Sequence, residues 1–385
     1  MLDKLVLSNV ERSLSNAWGG DVRLVFQEDF EEHPHVMRLA VSQAPASAPS
    51  TVILKKSRTE GEERDRSSDS SIPFFNDWAS LEYLRSILGN ESFAPQVFAG
   101  DKQKGFFVME DLGDGPSLEN ALWNGDFSEA AQAMVQYGEL LGILHGKSVG
   151  RSNQFSQIRE RLDPRFSLKQ EDYSQLFEIF TSNLKSLKVE FTPSVLDELR
   201  EGGKLLSHPG GLSVFTHGDP VLGNILNRGG RWRLIDFEVA RFRNALIEGV
   251  YPRMFFPTSG LAYVMRIPEQ VWRQAESAYR TKLEEYVPAA GENTLFGPAL
   301  TASCAFWILN LCNGWLEHAI AGDLPPERVH RVRQCIIARC ESFIKASQEF
   351  HCMPGLCGAV EKMVVFLSAQ WSQEDRNLPF YPAFL

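Results

Sequence analysis

The sequence predicts an α+β protein of two lobes, with a β-rich N-terminal lobe and a mainly helical C-terminal lobe. Three observations lead there. Strand-like alternation is concentrated in residues 22–58 and returns at 94–112. Helical spacing dominates from Gly115 onward, and one strand-rich island at residues 211–242 interrupts it. At 385 residues the chain exceeds what one hydrophobic core usually serves. With 43% hydrophobic and 23% charged side chains it has the composition of a folded globular chain and not of a disordered or fibrous one. We divide it into an N-lobe, residues 1–112, and a C-lobe, residues 113–385.

The elements follow in order. After a short amphipathic start, VRLVFQ, HVMRLAVS and STVILKKS alternate as strands of a small antiparallel sheet, separated by polar or Pro/Ala/Ser-rich turns. Residues 58–71 (RTEGEERDRSSDSS) are charged and serine-rich and read as an exposed loop. From Pro73 a helix places Asp77, Leu81, Leu84 and Leu88 on one stripe, at i, i+4, i+7 and i+11. Strands return at APQVFAGD and GFFVMEDL. The C-lobe opens with helices in SLENALWNG and SEAAQAMVQYGELLGILHGKS, where Met134, Tyr137, Leu141 and Leu144 recur at helical spacing. The island holds GLSVFTHGD, NILNRG and RWRLIDFEVARF in a hairpin-like arrangement, and helices run from there to the end.

Charge and cysteines narrow the function. The 39 basic and 49 acidic side chains give a net charge of −10, which argues against a nucleic-acid partner. We expect no secretory leader and no bilayer-spanning run, hence no membrane partner and a cytoplasmic protein. All six cysteines lie between Cys304 and Cys357, too clustered for a disulfide-stapled fold. Cys335 and Cys340 would sit about 140° apart on a helix, which does not suit one zinc ion, and buried reduced thiols are the reading we adopt.

The chemistry lies in the island, in His217-Gly218-Asp219-Pro220-Val221-Leu222-Gly223-Asn224 and Leu234-Ile235-Asp236-Phe237-Glu238. An Asp, an Asn five positions on, and a second Asp after an apolar strand suit phosphoryl transfer. One carboxylate can orient a hydroxyl and accept its proton. The Asn carbonyl and the other carboxylate are hard oxygen ligands for Mg²⁺ held against nucleotide phosphates. Asp is common in turns, but that accounts for neither the spacing nor the features upstream.

The strings HGDPVLGN and LIDFE together resemble the aminoglycoside phosphotransferase and choline kinase-like family, whose fold is that of protein kinases. The resemblance implies Asp219 as catalytic base, Asn224 and Asp236 as magnesium ligands, Glu238 as support for the metal loop, and His217 as a structural brace of the catalytic loop. Val52-Ile53-Leu54-Lys55 resembles the kinase-type strand ending in the lysine that contacts the α- and β-phosphates. Lys56 is adjacent, but successive strand residues face opposite ways. The family's lysine has a carboxylate partner on the next helix; of Asp77 and Glu82, Asp77 shares the apolar stripe, although the family usually has Glu there. Phe107-Val108-Met109-Glu110-Asp111-Leu112-Gly113 looks like the hinge between lobes, with Met109 lining the base pocket and backbone groups of Glu110 to Leu112 meeting the base edge. A glycine turn over the phosphates is missing. The turn between the first two strands reads Glu28-Asp29-Phe30-Glu31-Glu32-His33-Pro34-His35, with four acids.

The resemblance implies Mg²⁺ as cofactor, ATP or GTP as co-substrate, and a small-molecule hydroxyl acceptor, cationic or sugar-containing. An antibiotic-inactivating phosphotransferase, a resistance enzyme, is the leading reading. A metabolic kinase of choline, homoserine or a sugar is the alternative, and a non-catalytic nucleotide-binding relative is the reading from another class. Glu248 is expected to stabilise the lobe. Phe306, Trp307 and Trp315 are expected in the core, or as a wall of the acceptor pocket.

Overall fold

The computed structural model describes residues 4–30, 33–57, 72–166, 171–257 and 264–385. The expected loop at 58–71, and Glu31 and Glu32 of the acidic turn, lie outside the described residues.

Strand alternation builds the N-lobe. Helix α1 (Lys4–Trp18) precedes strands β1 (Arg23–Phe30), β2 (His33–Gln43) and β3 (Thr51–Lys56); helix α2 (Ile72–Leu88) follows, then β4 (Val97–Asp101) and β5 (Phe106–Glu110). The five strands form one antiparallel sheet in the order β1-β2-β3-β5-β4. Leu39, Val52, Leu54 and Val108 from one face pack with Val10 and Leu14 of α1 in a small core. Because side chains alternate, the residues between them face the other way. Glu28, Arg38, Ile53 and Met109 are register partners in turn, so they form one row across four strands, beside the row Val36, Lys55 and Phe107. That second face is the roof of the cleft. Helix α2 contributes Phe74, Trp78, Leu81 and Leu84 to the larger core that continues through the rest of the molecule.

The helical part begins at Ser117. Its side chain accepts from the Asn120 N–H at 3.2 Å, while Asn120 Oδ1 accepts from the Ser117 N–H at 2.8 Å. This reciprocal cap starts α3 (Leu118–Asn124), and Asp126 caps α4 (Phe127–Ser148). Helices α5 (Ser152–Leu162), α6 (Ser174–Ser186) and α7 (Ser194–Ser207) lead to the island. There β6 (Ser213–Thr216) pairs with β9 (Arg241–Asn244), and β7 (Ile225–Arg228) forms a hairpin with β8 (Arg231–Leu234). The remainder is α8 (Leu246–Gly249), α9 (Glu269–Glu284), α10 (Asn293–Ala321), α11 (Pro326–Phe350), α12 (Pro354–Gln370) and α13 (Gln373–Arg376). Helices α4 and α9 approach closely at Gly138, where a Cβ would stand 2.1 Å from the Ala275 carbonyl oxygen.

One expectation is corrected. An uncharged run does reach bilayer-spanning length, at Asn293–Leu316, and α10 built on it is long and apolar enough to cross a membrane. It lies mostly buried between other helices, with Phe296, Leu300, Ile308 and Leu316 all in the core. A helix enclosed over most of its length needs little polar face. Phe306 is buried beside Trp307, whose indole N–H donates to the Ile247 carbonyl at 2.7 Å, while Trp315 is half-buried under Arg328. The cysteines are free thiols; five are buried and Cys352 is half-buried.

Candidate active site

The residues singled out in three distant segments converge on one cleft. Lys55, at the end of β3, points its ammonium at two carboxylates: Nζ lies 2.7 Å from Asp77 Oδ2 and 2.9 Å from Asp236 Oδ1. The other oxygen of Asp77 accepts from the Phe237 N–H at 2.9 Å, so this one buried acid ties α2 to both the lysine and the loop after β8. Glu82 faces elsewhere, pairing with Arg161 and accepting from the Trp78 indole at 2.8 Å. Burial works against the ammonium, but Asp77 and Asp236 outweigh it and raise the Lys55 pKa. Burial likewise works against charge on Asp236, and Lys55 outweighs it, holding that carboxyl below its ordinary value.

The loop after β8 that carries Asp236 is fixed from below and from the side. Asn76, one residue before Asp77, donates through Nδ2 to the carbonyls of Phe237, Glu238 and Ala240 at 3.2, 3.1 and 2.8 Å. Asp236 itself is in the left-handed region at φ 65°, where a non-glycine residue is strained. Glu238 and Asp236 both line the cleft.

The catalytic loop leaves β6. The His217 ring donates from Nε2 to the Ile235 carbonyl at 2.8 Å and accepts at Nδ1 from the Asp219 N–H at 3.3 Å, so it is the Nε2–H tautomer and links the two loops. Asn224 Nδ2 donates to the Asp219 carbonyl at 3.1 Å, which turns its Oδ1 the other way. Gly218 adopts φ 93°, and a Cβ there would lie 2.2 Å from the Val239 carbonyl oxygen, so no other residue fits. Asp219 stands at the end of this loop and outside the lining of the nucleotide-sized cavity, and burial raises its pKa, with Asp236 adding to the effect.

Beneath the loop is a buried network centred on Glu248, in α8. Its carboxylate accepts from the N–H groups of His217 and Gly218 at 3.0 and 2.5 Å, from Arg243 Nη2 at 2.9 Å and from His145 Nε2 at 3.2 Å. His145 in turn contacts the Tyr279 hydroxyl through Nδ1 at 3.0 Å. Burial opposes the charge on Glu248, yet the His145 hydrogen bond and the Arg243 charge hold its carboxyl down to about 2. Burial lowers the His145 pKa. Sequence reading assigned Glu248 a stabilising part but missed Arg243, five residues from it, and Asn76 and His145, whose partners are more than a hundred positions away.

The cleft between sheet and helices has a volume of about 650 Å³, within the range of small-molecule sites. Met109, Glu110 and Leu112 line it, as do Ile53 from the roof and Leu226 from β7 below. The Glu110 N–H is already taken by the Gln96 carbonyl at 2.8 Å, so that amide is not open to a base. The acidic turn is partly neutralised, since Glu28 pairs with Arg38. Lys56 also borders the cavity.

Solved structures similar to this chain include choline kinase from Cryptosporidium parvum (12% identity, 95% of this chain and 98% of that one, TM-score 0.47). Others are a choline/ethanolamine kinase family protein from Mesorhizobium loti (16%, 88% and 92%, 0.43) and macrolide 2'-phosphotransferase from Brachybacterium faecium (14%, 87% and 98%, 0.40). No curated protein matches the sequence. The model of the phosphotransferase enzyme family matches residues 48–257, more than half of the chain and the whole stretch from Lys55 to Glu248. The chain belongs to that family of phosphotransferases.

Proposed function

We propose that this protein transfers the γ-phosphoryl group of ATP or GTP to a hydroxyl of a small cationic molecule, an antibiotic with a sugar hydroxyl in the first place. The observation that carries the reading is the convergence of Lys55, Asp77 and Asp236 within hydrogen-bond distance on one wall of a cleft of nucleotide size. Lys55 is held where α- and β-phosphates would lie, and Asp77 keeps its ammonium from swinging away. Asp219, with a raised carboxyl pKa, orients the acceptor hydroxyl and takes its proton. His217 and Glu248 keep the loop that carries Asp219 in place.

The donor set suits a hard cation. Asn224 turns an amide oxygen away from the Asp219 carbonyl, and Asp236 is a carboxylate kept ionised by Lys55. These two residues would hold Mg²⁺, which when bound offsets the charge that builds on the transferring phosphoryl group. The acceptor class is supported by the net charge of −10. The test is nucleotide consumption with Mg²⁺ across a panel of aminoglycosides, macrolides, choline, homoserine and sugars, with the product read by an added phosphate mass. Turnover with choline or homoserine alone would move the protein to the metabolic reading. Nucleotide binding without turnover on any acceptor would favour a non-catalytic relative.

A further inference from the structure

The roof of the cleft carries a buried arginine that the proposed reaction does not yet use. Arg38 in β2 is 7% exposed and stands in the cross-strand row between Glu28 and Ile53, with Met109 next beyond Ile53. It therefore occupies the same sheet face as the residues expected around the base. Its guanidinium is flanked along its edges by three carboxylates from two segments, β1 and the connection after β5. Nε lies 2.8 Å from Asp111 Oδ2, Nη2 lies 2.8 Å from Asp114 Oδ1, and Nη1 pairs with Glu28. The hinge is held from the other side too. Arg228 of β7 donates to the Asp111 carbonyl at 2.8 Å, and Arg233 of β8 to Glu110 Oε2 at 2.8 Å.

An arginine with a carboxylate within ion-pair distance of each of its three nitrogens has little room along its edges for a ligand. What it keeps is the flat π face of the guanidinium, which stacks well on aromatic rings and is more weakly hydrated than an ammonium. The Phe30 ring lies 5.6 Å from the guanidinium carbon, and both Arg38 and Phe30 line the cavity. Leu226 lines it from β7, across the cleft from the sheet.

We propose that Arg38 is a base-binding residue, its guanidinium plane stacking on the purine of the nucleotide while Glu28, Asp111 and Asp114 hold that plane level. The stack touches the ring face and not its edge, so it adds equally to ATP and GTP and selects for a flat purine without choosing between them. The inference rests on the phosphotransferase reading of this cleft, and the experiment keeps the two apart.

Equilibrium binding is measured with Mg²⁺ for ATP, GTP and inorganic tripolyphosphate, which has the phosphates without the base. A wild-type protein that binds neither nucleotide removes the reading of the cleft itself. Given binding, Arg38→Met is expected to weaken ATP and GTP each about tenfold and to leave tripolyphosphate unchanged. Arg38→Lys, which keeps the charge and drops the plane, is expected to do the same, and serves alone should the methionine variant not fold. ATP affinity within twofold of wild type overturns the proposal. So does an unequal loss of ATP and GTP, or a parallel loss of tripolyphosphate.

Discussion

The loop that carries Asp219 and the edge strand β1 of the sheet are held in different ways. The catalytic loop rests on buried groups: Glu248 takes four donors, and His217 links it to the loop after β8. Strand β1 is an edge of the sheet, with Val25, Phe26 and Glu28 exposed, and among the described pairs Glu28 is met by Arg38. The difference fits the function proposed above: a loop that positions a proton acceptor needs groups fixed to a fraction of an ångström, and a side open to a nucleotide has to let it in and out.

The contrast can be broken from the floor first. Asp219→Asn should lower kcat about 10²–10⁴-fold while the melting temperature stays within a degree or two, since its side chain supports no other element; retained turnover would remove Asp219 as base. Glu248→Ala leaves Arg243 and two backbone N–H groups without their acceptor, and should cost about 3–5 kcal/mol in urea unfolding. A loss below about 1 kcal/mol would show that the floor is no better braced than the roof.

Acid sharpens the same comparison. His145 and Glu248 both have folded pKa values below their ordinary 6.5 and 4.5, so the stability they contribute is complete above about pH 6.5. It is lost on acidification in two stages: first below about 6.5, as the unfolded chain gains a proton on histidine, then between 4.5 and about 2, as it gains one on the glutamate. The second stage is worth about 3 kcal/mol. In Glu248→Gln, urea midpoints followed from pH 7 to pH 3 should lack it. The smallest effect is expected at the roof. Glu28→Gln removes a half-exposed partner of Arg38 and should change stability by about 0.5 kcal/mol or less.

How much of this was legible in the sequence depends on how local each signal is. Alternation located the strands of the sheet, and the stripe through Asp77, Leu81 and Leu84 put that acid against the sheet, because both patterns are set by neighbours along one element. The HGD and IDFE strings were visible because their spacing is fixed by one short island. Arg38 was not, although alternation aligns it with Val36. One partner, Glu28, is ten positions away on the neighbouring strand, but Asp111 and Asp114 are more than seventy away, and no periodicity announces a pairing over that distance. The same holds for His145, which meets Glu248 across more than a hundred positions where α4 packs against α8. The uncharged run of α10, residues 293–316, was open to reading in the sequence; what composition alone leaves undecided is whether protein or lipid surrounds it.

The backbone at Asp236 has an evolutionary consequence. A left-handed conformation costs an ordinary L-residue about 1 kcal/mol that glycine would not incur. Drift under selection for foldedness alone would therefore carry position 236 toward glycine, and Lys55 would still have Asp77 for a counter-charge. Where a descendant of this chain loses its activity while remaining useful as a folded binder, that position is the one we expect to change early, and Asp236→Gly would be the mark of the transition.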